Sequence, residues 1–327
     1  MPAVEEIKDG LRAYAPAKLN LDLLVGPQRE DGYHGLDSLA AKITQYDTVD
    51  LRVRRDGHIS FVARISDHAS VSGSANPRSE IGNPKLQWDI GPDDRNLALN
   101  AARLLAEATG RGSLGRKQSL GADIELVKGI PPGTGLGGGA SDAAAVLRGL
   151  NQLWRLDMSP GELARIGLRL GSDVPLLLGP PCARMTGRGE IIEHIEVYPF
   201  WAVLFMPEVA KSTAAVYRAF DELTASEPAR HAAIQERPFA LEDLRLPPSR
   251  WRSLLRNDLT DAAVRICPSL RHLMDRLAEQ SRLPVCLTGA GTAMFILCDD
   301  RQEALAVAGR LEADLAGLCT IVRRCAD

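Results

Sequence analysis

Five glycines fall within seven positions of this sequence, in the run Pro131-Pro132-Gly133-Thr134-Gly135-Leu136-Gly137-Gly138-Gly139-Ala140-Ser141-Asp142. Such density is costly in chain entropy. What it allows is close approach: without Cβ atoms, several backbone N–H groups can converge on one point. The Ala- and Leu-rich stretch Ser141–Leu153 predicts a helix with Ser141 or Asp142 near its start. A helix N-terminus adds orphan N–H donors and partial positive charge. Together these features suit the holding of phosphate oxygens. A flexible linker is the bland alternative, but linkers are not usually placed between an apolar strand, here Ala122–Val127, and an apolar helix.

Several nucleotide-binding loops share this composition. A Walker A loop needs Gly-Lys-Ser/Thr at its end, and this one lacks it. Gly133, Gly135 and Gly138 do match the dinucleotide spacing G-x-G-x-x-G. That fold, however, runs its strand straight into the first glycine and ends a second strand in an acidic residue about 20 positions on. Here Lys128-Gly129-Ile130-Pro131-Pro132 intervenes, and Asp157 falls in a connection between helices. The His-Arg-Asp and Asp-Phe-Gly signatures of protein kinases are absent.

The elements that must carry this loop can be read from periodicity. Ala13–Val25 predicts a strand with Leu19, Leu21 and Leu23 on one face and Lys18, Asn20 and Asp22 on the other. Arg29–Gly35 is a polar turn, and residues 48–65 alternate as a hairpin turning at Asp56-Gly57. Residues 66–95 form a polar insertion to which the sequence assigns no role. Helices are expected over Asn96–Ala108 and about Pro160–Leu170, and Val174–Leu178 reads as strand-like. A second unit begins after about residue 195. It has strands at Trp201–Met206, Val285–Thr288 and Ala293–Leu297, and helices at Ser212–Leu223, Leu259–Leu277 and about Arg301–Leu315. A polar connection spans 225–250. Strands and helices mix without strict alternation, which argues for α+β. The expected domains are 1–195, binding ATP, and 196–327.

Three segments in order resemble the GHMP kinase superfamily: Ala15-Pro16-Ala17-Lys18-Leu19-Asn20, the glycine loop, and Leu287-Thr288-Gly289-Ala290-Gly291-Thr292-Ala293. The set is specific where one alone is weak. The resemblance implies a two-domain fold, with a ribosomal protein S5 domain 2-like N-terminal domain and a ferredoxin-like C-terminal domain. It also implies transfer of the terminal phosphate of ATP, used with Mg²⁺, to a small alcohol. Arg29-Glu30-Asp31-Gly32-Tyr33-His34 and Gly171-Ser172-Asp173-Val174-Pro175 resemble the branch of that superfamily whose acceptor is a cytidylyl sugar alcohol. A mevalonate- or homoserine-type member, or a non-catalytic nucleotide-binding protein on the same fold, is the alternative.

By resemblance Asp173 is the base and Lys18 its partner, although spacing alone leaves Asp173 equally a turn aspartate and Lys18 a solvated edge lysine. Asn20 would orient the hydroxyl or phosphate. Tyr33 and Tyr217, four residues beyond Thr213, would sandwich cytosine, with His34 on the base edge. Tyr217 is otherwise a core residue and His34 an ordinary surface histidine. Asn96 and Leu97 would meet adenine, Lys128 the nucleotide, and the Ser141 hydroxyl the phosphates or Mg²⁺. No acidic cluster declares the metal ligands. Thr134, Ala140 and Asp142 depart from the superfamily's more usual Gly, Ser and Asn, and Asp142 would repel phosphate unless it capped the helix.

The 327 residues are 45% hydrophobic and 25% charged, with a net charge of −3. That balance offers no global attraction for nucleic acid or an anionic membrane, so phosphate must be met by a local site. The six cysteines lack metal-ligand spacing and read as reduced thiols. No run is apolar enough to span a membrane, and the N-terminus lacks a signal core. The expectation is a cytoplasmic monomer or weak homodimer acting on a small-molecule substrate.

Overall fold

The computed structural model describes residues 3–66, 88, 90, 95–109, 120–209, 212–225, 236–311, 315 and 317–326. The insertion expected at 66–95 lies outside the described residues, apart from Ser66, Trp88, Ile90 and Arg95.

Two sheets organise the chain. The first is built on a long antiparallel pair, β2 (Gly10–Gln28) and β3 (His34–Arg54), with β1 (Val4–Ile7) on the outer edge of β2. Ladder irregularities at Pro16/Lys18 and Asn20/Asp22 bracket Lys18 and Asn20. Pro16 has no N–H to give the ladder, and bulges re-aim side chains. Both faces of β2 are buried from Ala17 to Val25. The alternative of a solvated edge lysine is thereby removed: Lys18 is 3% exposed and lies on an inner strand.

The hairpin expected over 48–65 is also corrected. Strand β4 (Ile59–Ile65) does not pair with β3. Strand β5 (Gly121–Lys128) lies between them, antiparallel to β3 and parallel to β4. Alternation identifies a strand without naming its partner. The buried Ala122, Ile124 and Leu126 of β5 take the inner position and leave β4 at the edge. Strands β6 (Cys182–Gly187) and β7 (Ile191–His194), not foreseen, extend the other half of β3.

Helices α1 (Leu97–Ala108), α2 (Gly138–Leu153) and α3 (Pro160–Leu168) bury apolar faces in one core with Ala13, Ala15, Leu51 and Ile124. Val174–Leu178, expected as a strand, is the short helix α4. A five-residue apolar run does not distinguish the two, and Pro175 in the first turn favours the helix.

The second sheet is four-stranded and antiparallel, in the order β11-β8-β10-β9: β8 (Trp201–Pro207), β9 (Cys286–Leu287), β10 (Met294–Cys298) and β11 (Gly317–Arg323). Strand β11 was missed in the sequence. Among the described residues its α-helices are α5 (Thr213–Thr224), α6 (Thr260–Ile266), α7 (Ser269–Ser281) and α8 (Arg301–Ala308). The single helix expected over Leu259–Leu277 is broken before Pro268, which disfavours helical backbone in the residue before it. Leu23, Val25 and Leu36 of the first sheet share a core with Phe205, Val216 and Leu287 of the second unit.

Candidate active site

The three sequence motifs, far apart along the chain, meet around one cleft of about 480 Å³. It is lined by Lys18 and Asn20, by loop residues 131–140, by Asp173, and by Gly289-Ala290. Backbone contacts lock the motifs together. The Lys18 N–H donates to the Leu136 carbonyl and the Ala293 N–H to the Thr134 carbonyl, both at 2.9 Å. The Asn20 N–H donates to the Thr288 hydroxyl at 2.9 Å. Gly135 has φ +83°, and a Cβ there would overlap the Thr288 carbonyl oxygen. Gly289 has φ +55°, and its Cβ would lie 3.3 Å from Asn20 Oδ1 and 3.4 Å from Lys18 Nζ. Side chains at these glycines would therefore push the loop, the lysine strand and the third motif apart.

Lys18 Nζ stands 3.5 Å from Asp173 Oδ2 and donates to Asn20 Oδ1. Asn20 Nδ2 donates to the Ser38 hydroxyl at 2.7 Å, which donates to the Asp22 carbonyl at 3.0 Å. This relay leaves the Asn20 amide one consistent orientation, oxygen toward the lysine. The Asp173 side chain is 31% exposed, so its carboxylate is open to the cleft while Lys18 is buried behind it.

Ser141 and Lys128, on the elements that flank the loop, both have partners within the protein that the sequence does not show. Ser141 does not line the cleft: it is 1% exposed, and its hydroxyl donates to the Pro16 carbonyl at 2.7 Å. It anchors the loop to β2 rather than facing phosphate. The helix begins earlier than expected, at Gly138, with Gly137 as its cap. Lys128 lines the cleft, but its ammonium is held by Asp47 and, at 2.7 Å, by Asp142. Asp47 in turn accepts the Gly129 and Ile130 N–H groups at 2.6 and 2.8 Å. Lys128 is thus a brace beneath the loop. Burial works to strip its proton, but the two carboxylates outweigh that and raise it above an ordinary lysine.

Asp142 does not cap the helix; it is buried at the cleft wall, with its carboxyl turned to Lys128. Burial first, and then the charge of Asp47, push its carboxyl well above the ordinary carboxylate range. A raised folded-state value contributes stability that is present at acid pH and lost as pH rises. Asp142→Asn is therefore expected to raise Tm relative to wild type at pH 8 and to change it little at pH 4. Thermal melts at the two pH values check this, and an equal shift at both would contradict the carboxyl's assignment.

On the other side of the cleft, Ser212 caps α5, Thr213 opens it, and Tyr217 follows one turn later. Burial, and then the Asp173 charge, push the Tyr217 phenol above its ordinary range. The Tyr217 ring packs on His34 with centroids 5.2 Å apart. His34 is buried: its Nδ1 lies 2.9 Å from the Gly26 carbonyl and its Nε2 3.2 Å from Asp221 Oδ1. Tyr33 stands at the surface, 51% exposed, with the Arg188 guanidinium 4.6 Å from its ring centre. The aromatic partner of Tyr217 is thus His34, and Tyr33 sits apart on the outer side. Elsewhere along the cleft, Asn96 caps α1 by accepting the Ala98 and Leu99 N–H groups, and both Asn96 and Leu97 line it.

The sequence did not reveal the buried ion cluster under β2 and β3. Asp37 is gripped by Arg184 at 2.8 Å and Arg237 at 2.7 Å, and Arg237 also reaches Asp22 at 2.8 Å. Burial opposes the Asp37 charge, yet the two guanidiniums prevail and hold it at about 2. The available signal was an acid inside an apolar strand, Asp22 between Leu21 and Leu23, which demands a cationic partner without identifying one.

A glycine-rich loop ahead of a helix, a lysine–aspartate pair and an α+β frame in one cleft define a small-molecule kinase of the GHMP type. The profile of the GHMP kinases N terminal domain matches residues 96–179, and that of the GHMP kinases C terminal matches 241–317. The 4-diphosphocytidyl-2-C-methyl-D-erythritol kinase of Shouchella clausii is 36% identical over 93% of this chain and 90% of its own length. The enzyme of that name from Saccharopolyspora erythraea is 34% identical over 94% and 88%. A crystal structure of 4-(cytidine 5'-diphospho)-2C-methyl-D-erythritol kinase superposes with a TM-score of 0.68 at 30% identity, covering 96% of this chain and all of that one. A homoserine kinase from Cytophaga hutchinsonii superposes at 0.64 with 14% identity, which speaks to fold alone. The chain belongs to the family of 4-diphosphocytidyl-2-C-methyl-D-erythritol kinases.

Proposed function

We propose that this protein transfers the γ-phosphate of ATP to the 2-hydroxyl of 4-diphosphocytidyl-2-C-methyl-D-erythritol, a step in non-mevalonate isoprenoid precursor synthesis. The observation that carries the chemistry is the Lys18–Asp173 pair, 3.5 Å apart in the cleft that the glycine loop lines. Phosphoryl transfer needs positioning, charge stabilisation and a proton acceptor. Asp173 takes the hydroxyl proton as the oxygen attacks. Lys18 pairs with that carboxylate and draws off charge developing on the transferred group. The loop's N–H groups and the start of α2 hold the phosphates, and Asn96 and Leu97 take the adenine end.

Mg²⁺ enters with ATP and, when bound, neutralises phosphate charge. Among the described residues no group of three His, Cys, Asp or Glu side chains forms a metal cage. Asp142 is turned to Lys128. The arrangement suits an ion held largely by the phosphates and water.

The cytosine stacks between Tyr217, which lines the cleft, and Tyr33, which stands outside its lining in this structure and would have to close over the base. Base stacking contributes about 1–3 kcal/mol, so Tyr33→Ala should raise KM for the cytidylyl alcohol about tenfold and leave KM for ATP within about twofold. Steady-state titration of each substrate checks this, and the reverse ranking would move Tyr33 out of the base site.

We take residues 1–195 as the ATP-binding domain and 196–327 as its partner, since the two sheets divide between His194 and Trp201. Among the described residues no helix is long and apolar enough to cross a membrane. The free cysteines fit a reducing, cytoplasmic setting, and we place the enzyme there as a monomer or weak homodimer. The test of substrate choice is ATP consumption with three alcohols: the cytidylyl methylerythritol, mevalonate and homoserine. Turnover with the first alone supports the proposal. Turnover only with either of the others reassigns the acceptor, and no turnover with any leaves a nucleotide-binding protein without this activity.

A further inference from the structure

Helix α4 is five residues long, yet it immediately follows Asp173. So short a helix gains little from its own hydrogen bonds. Its C-terminal carbonyls are gripped from outside. Lys42 Nζ donates to the Leu177 carbonyl at 2.9 Å and to that of Gly179 at 2.6 Å. Arg148 Nη2 donates to the carbonyls of Leu177 and Leu178 at 3.1 and 3.3 Å. Lys42 on β3 sits directly across the ladder from Lys18 on β2. Two neighbouring strands therefore each send a lysine to the same segment, one to Asp173 at its start and one to its end. Arg148 belongs to α2, the helix that begins in the glycine loop.

We propose that Lys42 and Arg148 are positioning residues that clamp α4 between the Lys18 strand and the loop helix, and so set where the Asp173 carboxylate lies in the cleft. The proposal rests on the reading of Asp173 as the base. Cations suit helix C-termini, but burying two of them side by side is costly, and apolar packing would serve stability alone as well or better. A fixed geometry for the carboxylate accounts for their presence. Around Lys42 stand Arg148 from α2, Cys182 from β6 and Cys325 from the C-terminal segment. Burial, and then the like charge of Arg148, lower the Lys42 amine to about 7. A neutral amine keeps two N–H donors, one for each carbonyl, so the grip survives on either side of that value.

The test is Lys42→Met, which keeps the length and removes the donors, with Lys42→Arg as the conservative replacement and Asp173→Ala beside them. Lys42→Met is expected to lower kcat at least tenfold with KM for both substrates within twofold, and to leave the inflections of the kcat–pH profile in place. Lys42→Arg should recover most of the loss. If Lys42→Met fails to fold by circular dichroism, Arg148→Met, which removes only the α2 side of the clamp, should show the same split. Wild-type kcat in a folded Lys42→Met or Arg148→Met protein, a change confined to KM, or loss of an inflection near pH 7 in Lys42→Met would overturn the clamp. Wild-type turnover in Asp173→Ala would instead remove the base assignment itself. An inactive Asp173→Ala with a fully active Lys42→Met removes only the clamp.

Discussion

Asp173→Ala should lose about a thousandfold in kcat while KM for ATP and for the alcohol stays within about threefold, since positioned proton acceptors contribute about 10²–10⁴-fold. The carboxylate is open to the cleft and pairs there with Lys18. The loop is fixed without it, through the Lys18 and Ala293 N–H groups and the Lys128 brace. Removing it takes away an interaction used when the hydroxyl loses its proton, and leaves ground-state binding intact. Stopped-assay kinetics with varied ATP and varied alcohol measure the split. A kcat close to that of wild type would reject Asp173 as the base.

The second large effect belongs to Lys18. Lys18→Met is expected to reduce kcat by about 10²–10³, the scale seen when one preorganised stabilising donor is removed. Lys18 holds Asp173 from one side and Asn20 from another, so its loss leaves the carboxylate without its cation and the Asn20 oxygen without its donor. Met preserves most of the packing of the stem against the backbone of Gly137. Because Lys18 and Asp173 act on the same proton and charge, the double variant should be little worse than Asp173→Ala alone. Fully multiplicative losses would show that the two act independently and would remove the ion pair from the mechanism.

Much of this site was legible because its parts are local patterns. A glycine run between strand and helix announces phosphate, and Pro-Ala-Lys-Leu-Asn and Gly-Ser-Asp-Val-Pro carry their meaning in consecutive residues. What the sequence hid is what only a third dimension supplies. Asp56-Gly57 reads as a hairpin turn, but nothing local says that β5, distant in sequence, would enter between the two strands. Val174–Leu178 reads as a strand because the donors that secure it as a helix, Lys42 and Arg148, come from elsewhere in the chain. Lys128 stands next to the loop and reads as a nucleotide contact; the sequence does not show that Asp47, on another strand, pairs with its ammonium. The helix starts three residues before Ser141, at Gly138, and that small offset turns the Ser141 hydroxyl from cleft to interior. The aromatic motif likewise placed Tyr33 and His34 side by side in sequence without saying that only the histidine would pack on Tyr217.

Phosphorus NMR of the product formed from ATP and 4-diphosphocytidyl-2-C-methyl-D-erythritol tests the central claim most directly. The expected spectrum shows ADP and one new phosphomonoester in equal amounts. The diphosphate bridge should be intact and the ester coupled to the carbon framework at the 2-position. ADP with inorganic phosphate and no new ester, or an ester at another hydroxyl, would contradict it.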